Sequence, residues 1–358
     1  MSSFPHRPSL KGASLAVGAA LLFGLGVPLA KQLLSAIAAP MVSALFYLGS
    51  AAALCVGWIT ARTINPKLRL KQAPLRRQHI PWLAGSIICG GIFAQFLEIY
   101  GISLIPASEA SLLLNLEAVF TVTVALVLFR EHAGRNFIAG TVLLIAGAII
   151  LTAGPGWRFS LSLGSLCLIF ACLGWSMDNN LTRHISHANP VFPVMIKGLV
   201  SGLILLGIAL SLHSKLPSTM LALQAMAVGA MSYGLSLVLY VLAMRYLGAA
   251  RTGAYFCTAP FVGAGASIFF LHEPVSMSFV LSAALMAIGL FLHFTENHDH
   301  LHVHEPITHE HEHVHDEHHR HQHESSDPDN EPHSHIHTHE ALEHAHPHMP
   351  DIHHRHDH

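Results

Sequence analysis

Apolar and polar positions alternate along this chain in long blocks. Apolar runs occupy roughly 12–34, 37–60, 80–105, 109–129, 136–153, 163–183, 190–212, 219–244, 249–271 and 275–294. A helix rises about 1.5 Å per residue, so each run is close to the roughly 20 residues needed to cross bilayer hydrocarbon. The pattern predicts an all-α integral membrane protein of ten transmembrane helices. A short polar segment, 1–11, precedes them, and a polar tail, 298–358, follows. The first run has a rival reading as a signal peptide, because Ala36-Ile37-Ala38 resembles a cleavage site.

The apolar blocks also repeat. Ala110 to Phe120, running on to Arg130-Glu131, is echoed by Thr252 to Val262, running on to His272-Glu273. A shift of 142 positions superposes Glu131 on Glu273 and Gly147 on Gly289. Phe23 to Lys31 falls on Trp175 to Arg183 at a shift of 152, which makes run one the counterpart of run six and weighs against its removal as a signal. The expected organisation is a cytoplasmic N-terminus at 1–11, a first five-helix repeat at 12–153, a second at 163–294, and a disordered tail at 298–358. Five is odd, so the second repeat lies inverted relative to the first. Inverted repeats place a binding site near the midplane, between the halves.

Charge is segregated. Residues 1–297 carry seven acids and 17 Lys or Arg, whereas 298–358 carry 14 acids and two Arg. With the N-terminus inside, inner segments collect 13 basic residues and outer ones only Lys31, Arg158 and Lys215. This bias predicts a cell-membrane protein with both termini in the cytoplasm. The five cysteines all lie within apolar runs without Cys-x-x-Cys spacing, and read as small core residues.

On these residues the chain resembles the EamA-type transporters of the drug/metabolite transporter superfamily, over about 12–294. The resemblance is carried by Leu114-Asn115-Leu116-Glu117-Ala118-Val119-Phe120 before Phe129-Arg130-Glu131, and by Ala259-Pro260-Phe261 before Leu271-His272-Glu273. It implies ten helices in inverted halves and export of small solutes. The family usually has Pro after the Glu of the first copy. Here Ala118 stands there, and Pro remains only as Pro260.

A charge at the bilayer centre costs about 2.5–3.5 kcal/mol, so each one invites a reason. Glu98 and Glu117 lie at similar depth on helices three and four and are candidate neighbours for a shared proton or a cation. The alternative is that Glu117 merely locks a helix hairpin. Glu109, at a helix start, reads as a solvated cap. In Trp175-Ser176-Met177-Asp178-Asn179-Asn180 successive residues point about 100° apart, so only some face one cavity. Asp178 is the first choice, paired with Lys197 or Arg251 at similar depth, as a structural pair or as an anchor. Tyr233, Tyr240 and Tyr255 are candidate lining residues, with core packing as the alternative. Gly24-x-Gly26-x-Pro28 suggests a loosened helix one, or simple close packing. The candidate substrate or ion site is therefore Glu98, Asn115, Glu117, Asp178, Asn179, Lys197, Tyr240 and Arg251.

The tail holds 23 of the 31 histidines. Few apolar residues leave it unable to bury a core. Neutral imidazoles bind nickel, cobalt, zinc and copper with little discrimination, and His298, His300, His302, His304, His309, His311, His313 and His315 open the candidate set. Protonation below about pH 6.5 releases such ions. No cofactor is required, and no nucleic-acid motif, phosphate loop or catalytic arrangement is present. The expected partners are the bilayer, a small-molecule or ion substrate and, as an open alternative, a second copy in a homodimer. The leading function is export of a small metabolite; the alternatives are nickel or cobalt efflux fed by the tail, and a metal-sensing receptor. His6, His79, His132, His184, His187, His213 and His272, in loops or at run ends, weaken the metal reading.

Overall fold

The computed structural model describes residues 10–64, 77–129, 135–154, 158–159, 161–183, 185, 191–247 and 249–294, with the tail described at 298–304, 307–313, 333–339 and 342–348. Glu131, whose motif anchors the first repeat, and His315 lie outside the described residues.

Ten helical stretches run through the described residues. They are α1 (Leu10–Gly24, resuming as Gly26–Leu33), α2 (Ala39–Ile64), α3 (Arg77–Leu104), α4 (Ala107–Leu113, resuming as Leu116–Phe129) and α5 (Arg135–Thr152). The second set is α6 (Leu163–Arg183), α7 (Val191–Ser211), α8 (Thr219–Gly229, Ala230–Leu235 and Ser236–Leu247), α9 (Ala249–Phe256, resuming as Ala259–Leu271) and α10 (Met277–Phe294). Six of these spans are long and apolar enough to cross a membrane. A two-residue ladder, β1 (Ala153–Gly154) with β2 (Arg158–Phe159), joins the halves of the chain.

Packing follows a pseudo-two-fold axis that exchanges each helix with the one five places on. α2 packs on α7, α5 on α10, and α4 on α9; α1 lies against α8 and α9, and α6 against α3 and α4. The repeats are therefore interlocked, each lending its first helix to the other. Local irregularities obey the same symmetry. A π-helical segment interrupts α3 at Ile87–Ala94 and α8 at Ala230–Leu235. Such bulges free carbonyls from the helical ladder and often mark functional sites; the Gly90 carbonyl accepts from Tyr47 Oη at 3.3 Å.

α4 and α9 both break at their midpoints. Pro260 accounts for the break in α9, since it lacks an N–H. α4 has no proline there and breaks all the same. Asn115 does the work by another route: its Nδ2 donates to the Leu112 carbonyl at 3.0 Å, a local bond that competes with the helix. α1 breaks at Leu25 because Pro28 cannot donate to the Gly24 carbonyl. Its repeat mate α6 has Ser176, Asp178 and Asn180 at the matching positions and is continuous.

Two helices end in a non-glycine left-handed residue, His213 (φ 56°) after α7 and His272 (φ 55°) after α9. That conformation costs L-residues roughly 1–2 kcal/mol. His213 is exposed, so His213→Gly is expected to raise stability by roughly 1 kcal/mol. Thermal unfolding in detergent would show it; a lower midpoint would mean that the imidazole makes a contact worth more than the strain.

The tail forms a separate unit, 296–358. Its described residues run as four strands, β3 (His298–His304) antiparallel to β6 (Leu342–His348), and β4 (Ile307–His313) antiparallel to β5 (His333–His339). Isolated two-stranded ribbons are marginal in water, and Leu301, Val303, Ile307, Ile336, Leu342 and Ala345 are too few apolar positions to build a core under them.

Candidate functional site

The π segment of α3 sets the orientation of the turn that follows it, which carries Gln95 and Glu98. Both are fully buried, at 0% and 1% exposure. Tyr233, from the π segment of α8, donates its hydroxyl to Glu98 Oε2 at 2.7 Å. Its ring sits among Phe23 (5.7 Å between centroids), Tyr47 (5.9 Å) and Phe46 (6.0 Å). The Gln95 side chain lies beside the same Tyr233 hydroxyl. Phe23 also faces its repeat mate Trp175 at 6.4 Å, so the aromatic cluster straddles the pseudo-two-fold axis.

Glu117 lies in the first turn of the resumed half of α4. The break exposes a helix N-terminus there, whose partial positive charge favours a carboxylate. Asn179 on α6 donates to Glu117 Oε1 at 2.8 Å. Thus Glu98 and Glu117, both in the first repeat, are each held by a neutral donor from the second. They do not bond each other, but each lies within the other's electrostatic reach. Glu117 also senses Asp178, Lys197 and Tyr240.

Asp178 on α6 pairs with Lys197 on α7 and accepts from Ser86 on α3. Thr182 donates to the same carboxylate at 3.2 Å. The carboxylate rests directly on Gly90, where a Cβ would collide with it. At the symmetry-related crossing, a Cβ on Gly26 of α1 would lie 2.7 Å from Ser232 Oγ of α8. One crossing is ionic and its mate is neutral.

Of the residues singled out from sequence, Glu98, Glu117, Asp178, Asn179 and Lys197 gather in one group across the repeats. Arg251 does not join it: it is exposed in the first turn of α9, and Lys197 is the cation on Asp178. Asn115 is buried but faces away, reaching Met286 Sδ on α10 at 3.9 Å. Tyr240 rests edge-on against Phe256 at 5.0 Å. Glu109 is half-buried in the first turn of α4 but does not cap it. That cap is Glu273, whose two carboxylate oxygens accept from Ala107 and Ser108 N–H at 2.7 and 2.8 Å. Tyr233 as a partner of Glu98, and Gln95, Ser86 and Thr182, escaped the sequence reading, because hydroxyls and amides are ordinary inside helical bundles. Among the described residues, no three His, Cys, Asp or Glu gather into a metal-holding group.

The fold is shared with a solved crystal structure of a protein, at a TM-score of 0.58 and 19% identity, over 78% of this chain and 94% of that one. An "Uncharacterized transporter" of Methanothermobacter thermautotrophicus is 31% identical over 231 residues, 62% of this chain. The match spans 66% of that relative, just under two thirds of its length. The description of the EamA-like transporter family matches residues 10–153 and 162–295, one match to each half of the helical bundle. With both halves matched, the interlocked five-helix repeats are those of an integral membrane protein, and the chain belongs to the EamA-like transporter family.

Proposed function

We propose that the chain exports a small organic solute across the cell membrane by alternating access between its repeats, with both termini in the cytoplasm. The observation that supports this reading is the pair of cross-repeat bonds, Tyr233 to Glu98 and Asn179 to Glu117. A neutral donor holds a buried carboxylate less firmly than a cation would. Such bonds can be exchanged for a proton or for the cationic group of a solute, and the exchange releases one repeat from the other. The aromatic rings of Phe23, Tyr233 and Trp175 around Glu98 offer flat faces to an organic cation. The chain acts as a carrier and does no covalent chemistry on its solute.

Glu98→Gln and Glu117→Gln are each expected to lower transport by at least about tenfold, one lost charge-assisted interaction, with the yield of folded protein unchanged. The measurement is uptake of a panel of labelled amines, amino acids and metal ions into inverted vesicles. Parent-like flux in both variants would remove the carboxylates from the mechanism.

A second reading, efflux of nickel or cobalt, rests on the 23 histidines beyond residue 297. Truncation after Asn297 should then weaken metal flux without abolishing it, because translocation belongs to the helical bundle. Absence of any protein-dependent metal flux in the same vesicles would end that reading.

A further inference from the structure

A short piece of helix lies at the end of the bundle that carries Lys31. Gly26–Leu33, the second half of α1, packs among α3, α4, α8 and α9. Gly26, Val27, Pro28, Ala30 and Leu33 are buried there. At its base the helical ladder lacks one bond. Pro28 removes the donor for the Gly24 carbonyl, and the Ser232 hydroxyl on α8 donates to the Leu22 carbonyl at 3.0 Å. The repeat mate α6 is continuous, so the interruption is special to α1.

At its tip the segment is tied down by one side chain. Lys31 Nζ donates to the carbonyls of Ile102 (2.8 Å), Ser103 (3.3 Å) and Ile105 (2.8 Å), at the C-terminal end of α3. An ammonium has three N–H donors, and all three are used. The carbonyls are those a helix leaves unsatisfied at its end, where a cation is favoured. Beside them, Glu273 of the second repeat holds the N-terminus of α4 and lies within electrostatic reach of Lys31.

We infer that Gly26–Leu33 is a hinged lid over one end of the transport pathway and that Lys31 is its latch, released when the carrier opens at that end. The inference rests on the alternating-access reading, but opening can be measured without transport.

The test uses the full chain in liposomes. A cysteine is introduced at Ala30, on the buried face of the lid, and a second chain carries one at Ala16, buried in the first half of α1. Maleimide labelling at each position is followed by mass spectrometry. Lys31→Met, which keeps the length of the side chain and removes its donors, should speed labelling at Ala30 by about tenfold or more. Labelling at Ala16 should not change. Lys31→Arg, which can still donate to the three carbonyls, should restore a rate near the parent's. Hydrogen exchange of the 26–33 amides, compared between the parent and Lys31→Met without any added cysteine, should rise in the same way. Unchanged labelling and exchange in Lys31→Met, or an equal rise at Ala16, would overturn the latch. Loss of the latch response with transport intact refutes the lid alone; intact lid opening with no transport of any panel solute refutes the carrier reading instead.

Discussion

Asp178→Asn should lower the stability of the folded protein by about 3 kcal/mol, a larger effect than the Glu98 and Glu117 replacements should have on folding. The reason lies in what remains. Asparagine can still accept from Ser86 and Thr182. Lys197, however, keeps its charge, with a side chain only 16% exposed and the carboxylate it bonded gone. An unpaired ammonium inside a bilayer costs about 2.5–3.5 kcal/mol. The double variant Asp178→Asn, Lys197→Met removes both charges and should recover most of the loss, because a buried ion pair stabilises little relative to neutral residues of similar size. Thermal unfolding of the parent, the two single variants and the double variant closes a cycle that isolates the coupling. Equal stability of parent and Asp178→Asn would show that the pair does not hold α6 and α7 together, and would return Asp178 to the candidate substrate residues.

Gly49→Ala is expected to lower stability by about 3 kcal/mol through steric conflict alone. A methyl at Gly49 on α2 would lie 2.6 Å from the backbone Cα and C of Met226 on α8 and still closer to its carbonyl oxygen. The approach is reciprocal. A Cβ at Gly229 on α8 would meet the carbonyl carbon of Phe46 on α2 at 2.6 Å, and its Cα and carbonyl oxygen closer still. Backbone cannot swing aside as a side chain does, so the two helices would have to separate and surrender the contacts between them. Close approach at glycine is a main source of helix association in membranes, where apolar burial between helices contributes little. Gly57→Ala and Gly207→Ala are the controls. Nothing lies within 4 Å of a Cβ at either, and alanine is the better helix former by up to about 1 kcal/mol. These two should be neutral or stabilising. If all three variants unfold alike, helix propensity and not interhelical contact governs these sites.

The membrane helices were legible because their signal is local. A run of about 20 apolar residues has one economical structure in lipid, whatever surrounds it. The repeat was legible for a similar reason, since Glu131 and Glu273 keep their places in matching runs. Asn115 was legible only as a motif residue. Its part in breaking α4 depends on a side-chain bond to Leu112, which neither hydropathy nor the missing proline at Ala118 announces. The π segments in α3 and α8 have no clear sequence signature, although they aim Gln95, Glu98 and Tyr233.

By itself, then, the sequence determined the helices, their duplication, the inner and outer charge bias it predicts, and the few charges that the bilayer obliges a reader to explain. Those properties follow from the solvent and from short stretches of chain. The choice of partners belonged to tertiary structure. Lys197 rather than Arg251 meets Asp178, Tyr233 meets Glu98, and Glu273 caps a helix that begins 166 positions earlier at Ala107. Depth in the membrane ranks such residues as neighbours in one dimension only. Rotation about each helix axis and the interlocking of α1 and α6 with the opposite repeat settle the other two, and both are set by packing among residues far apart in the chain.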